Sequence, residues 1–88
     1  MAKKWQKYLT EAEYWSLTHP GRVMADYWTD WLPKTCKKMH AEGTLYRHLK
    51  AEGERLLELQ VDLMHSGLAE DGAWEVVKEE IFSLTPER

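Results

Sequence analysis

Leu45, Leu49, Leu56, Leu59 and Leu63 fall within about 80° of one another when the chain is wound at about 100° per residue, and this seam constrains the fold more than any other feature. It predicts a long helix over about 44–65, for which Thr44 is the expected N-cap. A second row, Tyr46, Leu57, Val61 and Met64, lies beside the first, with Gly53 between the two. Two apolar rows predict more than one packing neighbour, and the lone glycine predicts a close backbone approach. This helix is the spine about which the other elements must pack. Ser66-Gly67-Leu68 reads as a Schellman ending, with Gly67 left-handed and Leu68 folded back on Leu63.

The flanking segments carry their own helix signals. Thr10-Glu11-Ala12-Glu13 is a capping box, and Leu9 and Tyr14 hold the staple positions around it, which starts a helix over about 10–18. His19-Pro20-Gly21 reads as its stop. Val23, Met24, Tyr27, Trp28 and Trp31 recur at three and four, predicting a second helix over about 22–32. Pro33 either breaks that helix or opens a new one capped by Asp30, and a break is the reading preferred. A short basic helix over about 34–41 follows, closed by Gly43 as a left-handed cap. The last helix, about 70–83, opens on Glu70 and Asp71, buries Ala73, Trp74, Val77 and Ile81, and ends before Thr85-Pro86. Phe82 falls about 80° or more off that arc, so it either packs as the helix frays or stays exposed for a partner. The expected fold is a single all-α domain over 1–88, a compact bundle of four to five helices, with residues 1–8 less ordered.

Composition supports a packed core and argues against several function classes. Five Trp and four Tyr among 88 residues supply large buried areas to a short chain. Cys36 is the only cysteine, so no intrachain disulfide can form and a reducing cytosol is the expected location. The start, from Met1 to Tyr8, is basic but runs into Glu11 and Glu13 instead of an apolar stretch, so it does not read as a signal peptide. No run of 18 apolar residues is present to span a membrane.

Catalytic and metal-binding patterns are thin. Cys36 and His40 share a helical face at i, i+4 and His48 could add a third ligand, but no second helical pair or thiolate joins them, and ordinary side chains are the preferred reading. Asp26 with Asp30, and His48 with Glu52, have the spacing of an acid and base pair, a spacing that solvated helix faces also produce constantly. No phosphate-cradling glycine loop and no nucleophile elbow occurs. The expectation is a protein that is not an enzyme and takes no cofactor.

Charge is divided along the chain. Residues 1–50 hold nine Lys and Arg against five Asp and Glu, and residues 51–88 hold three against ten, giving about +4 and −7. Such halves either cancel within the bundle, the reading preferred, or steer oppositely charged partners. Lys34, Lys37 and Lys38 could contact phosphates, with Trp28 and Trp31 nearby, although both Trp lie on the helical stripe and so read first as core. Carboxylates from Glu52 to Glu80, with Glu75 and Glu79 among them, could face a basic protein, and Phe82 could anchor such an interface. The candidate partner-binding residues are therefore Lys34, Lys37, Lys38, Trp28, Trp31, Glu75, Glu79 and Phe82. Another protein is the foremost expected partner, then nucleic acid, then a second copy of the chain; no membrane is expected.

Gly43-Thr44-Leu45-Tyr46-Arg47-His48-Leu49, preceded by an aromatic helix and His19-Pro20, resembles the small transposon-encoded TnpV proteins, which carry a similar G-x-L…H-L step. The resemblance covers about residues 15–65. The remainder, with Ala73-Trp74-Glu75, Lys78-Glu79-Glu80 and Leu84-Thr85-Pro86-Glu87, is similar to the tails of small prophage or conjugative-element proteins. What the resemblance implies is a mobile-element origin, a bacterial cytosol and a non-enzymatic accessory role; it supplies no site residues.

Overall fold

The computed structural model describes residues 3–83, which form a bundle of α-helices with no strand among them. After a 3-10 helix at Lys4–Lys7 come α1 (Glu11–Ser16), α2 (His19–Trp31), α3 (Pro33–Glu42), α4 (Leu45–His65) and α5 (Glu70–Ile81). The all-α bundle expected from periodicity is the fold found.

The 3-10 helix lies in the stretch expected to be less ordered. Trp5 accounts for it, because its ring is buried and stacks on Tyr14 with centroids 4.0 Å apart and planes 9° from parallel. One aromatic of this size removes roughly 150–250 Å² from water, enough to hold four residues that no periodicity announces. The capping box of α1 forms as read: Thr10 Oγ1 accepts from the Glu13 amide at 3.1 Å, and the Glu13 carboxylate accepts from the Thr10 amide at 2.9 Å. Leu9 and Tyr14, the staple pair, are both buried in the core.

His19-Pro20-Gly21 corrects the expectation that it ends the first helix. α1 stops earlier, at Ser16, and the tripeptide is instead the first turn of α2. Thr18 is extended and its hydroxyl accepts from the Gly21 amide at 3.2 Å, which makes it the N-cap. Pro20 then sits in the first turn, where its missing N–H has no partner to lose. Gly21 is buried there for a second reason. A Cβ on Gly53 would stand 2.7 Å from the Gly21 Cα, so α2 and α4 cross with their backbones almost touching. The close approach expected at Gly53 is present, and its partner is the glycine mistaken for a stop.

The break before Pro33 is found, with Leu32 leaving the helical region at φ −128°, ψ 52° and serving as the cap of α3 in place of Asp30. Gly43 ends α3 with φ 75°, and amide bonds from Gly43 to the His40 carbonyl (3.0 Å) and from Thr44 to the Met39 carbonyl (2.9 Å) complete a Schellman motif. Thr44 occupies the N-cap position of α4 but does not cap it through its side chain; its hydroxyl donates back to the Met39 carbonyl at 3.3 Å. At the far end Gly67 has φ 112°, with bonds from Leu68 to the Leu63 carbonyl and from Gly67 to the Met64 carbonyl, both 3.1 Å, as the sequence implied. α5 ends at Ile81, two residues before the expected bound, and Phe82 is its cap residue. Thr85-Pro86, read as the stop beyond it, lies outside the described residues.

Three helices supply most of the core, and Trp5, Leu9, Tyr14, Leu17, Leu32 and Cys36 complete it. α4 contributes Leu45, Leu49 and Leu56, α5 contributes Ala73, Val77 and Ile81, and α2 contributes Met24, Ala25 and Trp28, all buried. Ring contacts of His19 with Trp74 and of Tyr27 with Phe82, each at 4.9 Å, show α2 and α5 running side by side in the same direction. α4 opposes both.

Candidate functional site

The length of α4 against that of α2 sets the exposed surface. Thr18, the cap of α2, has its Oγ1 2.8 Å from where a Cβ on Gly53 would stand, so α2 begins level with Gly53. Residues 54–65 of α4 run on past that point for about 18 Å, at about 1.5 Å per residue, with α5 as their packing partner. The inner row is covered there: Leu56 is fully buried, and Leu59 and Leu63 are half-buried. The outer row is not. Leu57, Val61 and Met64 are 40, 41 and 40% exposed.

α4 meets more than one neighbour, as its two rows imply, with α2, α3 and α5 packed against it, but the second row meets a further element in one place only. That place is Tyr46, whose hydroxyl shares a 2.7 Å hydrogen bond with Ser16 of α1. α1 is too short to reach further. Leu57, Val61 and Met64 lie within about 60° of arc and so form one ridge, not three scattered side chains. Leu68, exposed beyond the turn, packs its side chain over Gly72 at the same end of the bundle.

Carboxylates border the ridge. Glu54, Glu58 and Asp62 are exposed and recur at i, i+4 along its outer flank. The cations of this end are engaged elsewhere: Arg55 pairs with Glu52 and, at 3.3 Å, with Glu80 of α5, and Lys78 pairs with Glu75 at 3.1 Å. Among the described residues Glu54, Glu58 and Asp62 have no ion-pair partner. The result is an apolar strip edged with carboxylates that make no ion pair among the described residues.

The residues singled out from the sequence separate into three groups. Trp28 is core, 7% exposed, and its indole N–H has no acceptor among the described residues, so it cannot serve as a contact in this fold. Lys34, Lys37 and Lys38 are exposed on one face of α3, and Trp31 is 52% exposed just before them. Glu75, Glu79 and Phe82 share the outward face of α5, where Phe82 stays partly exposed while its ring meets Tyr27 edge-on. Trp15 was missed, although it is 63% exposed with the Arg22 guanidinium 5.4 Å from its ring centre. Its place at the end of a six-residue helix, off the core face, is the signal that periodicity over so short an element does not carry.

The acid and base spacings acquire ordinary partners. Asp26 and Asp30 line an open cleft of about 340 Å³ with Lys3, Lys4, Trp5 and Thr29. Asp30 pairs with Lys4, while both Asp26 oxygens accept from the Tyr14 hydroxyl, at 3.2 and 3.1 Å. Burial, followed by the Asp26 charge, pushes the Tyr14 phenol up to about 12. Burial also raises the Asp26 carboxyl, against the opposing pull of the Tyr14 hydrogen bond. His48 lies against the Trp28 ring at 5.3 Å and Glu52 is held by Arg55. Cys36 is buried in the core whereas His40 is exposed against Tyr8, and no three His, Cys, Asp or Glu among the described residues gather as a ligand set.

Among the described residues no helix is long and apolar enough to cross a membrane. Comparison of the chain with family models, curated proteins and solved structures finds no match.

Proposed function

We propose that this chain is a small, non-enzymatic, cytoplasmic factor that acts by binding another protein through the ridge Leu57, Val61 and Met64. The carrying observation is the exposure of that ridge on the longest helix of the fold, where Tyr46 of the same row is half-buried against Ser16. Contiguous apolar surface on a small protein marks an interaction site more often than isolated exposed side chains do. The likeness of Gly43–Leu49 to transposon-encoded proteins sets the context as a bacterial mobile element or phage, with inhibition of a host defence system as one particular case.

The test is affinity capture from nuclease-treated bacterial lysate with the native protein beside L57D/V61D. A stoichiometric protein retained by the native chain and lost by the variant is the expected result. No protein above background at micromolar bait, or equal capture by the variant, overturns it.

A second reading has its own observation. Lys34, Lys37 and Lys38 share an exposed face of α3, and Trp31, which ends α2 just before it, is also exposed; such groups suit nucleic-acid phosphates and a stacked base. It requires binding to oligonucleotides that weakens steeply with salt and on neutralising the three lysines. Salt-insensitive or absent binding removes it.

A further inference from the structure

We infer that the partner element seated on the ridge is a basic amphipathic helix; the inference rests on the protein-binding reading above and names its ligand chemistry. The ridge itself is a helix row, with Leu57, Val61 and Met64 at i, i+4 and i+7, and such a row interlocks with the side-chain rows of another helix. The bundle offers no strand edge to which an extended peptide could add among the described residues.

The flank specifies the charge. Glu54, Glu58 and Asp62 repeat at i, i+4 parallel to the ridge and have no ion-pair partner among the described residues, so they match Lys or Arg repeated at the same pitch on the incoming helix. Arg55 and Lys78 are already held by Glu52, Glu80 and Glu75, and Lys50, one turn before Glu54, lies over the Tyr46 ring with its ammonium 6.0 Å from the ring centre. Met64 adds an unbranched, polarisable side chain that adapts to unlike apolar partners.

A second copy of this chain fits the ridge poorly. Its basic helix, α3, turns Cys36 and Met39 inward and leaves Lys34, Lys37 and Lys38 outside, so the exposed face has the charge without the apolar row.

The experiment uses the full chain and two 18-residue helical peptides with identical leucine faces, one carrying lysines on the other face and one carrying glutamates. Titration calorimetry and amide chemical shifts read the result. The lysine peptide is expected to bind with micromolar Kd and at least tenfold tighter than the glutamate peptide, with shifts centred on residues 57–64. V61D makes the surface more acidic yet removes apolar contact, and it is expected to weaken the lysine peptide at least tenfold. Equal binding of both peptides, undiminished binding by V61D, shifts centred elsewhere, or sedimentation as a dimer that L57D/V61D dissolves would each overturn the inference. If the lysine peptide fails while L57D/V61D still abolishes capture from lysate, the ridge is an interface for another chemistry. If both fail, the protein-binding reading falls with it.

Discussion

Gly53 and Gly72 both sit inside helices, yet alanine has opposite consequences at the two. At Gly53 the new Cβ meets the Gly21 Cα at 2.7 Å, backbone against backbone, and cannot be accommodated without separating α2 from α4. At Gly72 it meets Leu68 Cδ2 at 2.8 Å, the far end of a side chain that can rotate away. Gly53→Ala is therefore expected to destabilise by about 2 kcal/mol or more, outweighing the gain of up to about 1 kcal/mol in helix propensity. Gly72→Ala keeps that gain, so its urea midpoint is expected to be unchanged or higher. Tyr14 carries a prediction in pH. Its folded pKa, about 12, lies above its ordinary value of 10.0, so the linked stability is fully present below pH 10 and is lost as pH rises towards 12. Tyr14→Phe is expected to cost about 1 kcal/mol at neutral pH, since Asp26 is exposed and the hydrogen bond is partly screened, and to flatten the alkaline limb of the stability profile. Gly53 was legible in the sequence because a lone glycine interrupts a leucine helix. Gly21 was not, because the same His-Pro-Gly string that ends a helix also suits a first turn, and only the cap at Thr18 distinguishes them.

Among elements, α4 shows what periodicity can and cannot reveal. Its two apolar rows, its Schellman end and its role as spine were all readable, because each depends on residues close in sequence. Whether a row is covered depends on where the neighbouring helices begin and end, and no local pattern records that α1 stops at Ser16 and α2 starts at His19. The 3-10 helix at Lys4–Lys7 was hidden for a related reason, since one tryptophan stacked on Tyr14 holds it. Adjacent leucines test the distinction directly. Leu56→Ala removes a fully buried side chain and is expected to lower unfolding free energy by about 2–5 kcal/mol, whereas Leu57→Ala should change it by no more than about 0.5 kcal/mol. Denaturant midpoints of the two variants give the answer; similar losses at both positions would mean that the ridge is packed, and would remove the basis for a binding surface there.

Charge is divided between the two halves of the sequence, and the question this leaves for the whole molecule is whether folding cancels them. Lys4–Asp30 joins groups of the basic half, while Arg55–Glu52, Arg55–Glu80 and Lys78–Glu75 each join groups of the acidic half. Pairing of this kind leaves the excess carboxylates concentrated on the two packed helices α4 and α5. Like charges so arranged repel, and the repulsion is exposed to solvent and therefore to screening. The Debye length falls from about 30 Å at 0.01 M salt to about 3 Å at 1 M, which is shorter than the spacing between these side chains. Raising sodium chloride over that range is thus expected to stabilise the fold, by about 0.5 kcal/mol, or about 2–4 °C in Tm for a chain of this size. A Tm that falls with salt would show net attraction between the halves, the cancelling arrangement, and would mean that the carboxylates beside Leu57, Val61 and Met64 are already answered from within the molecule.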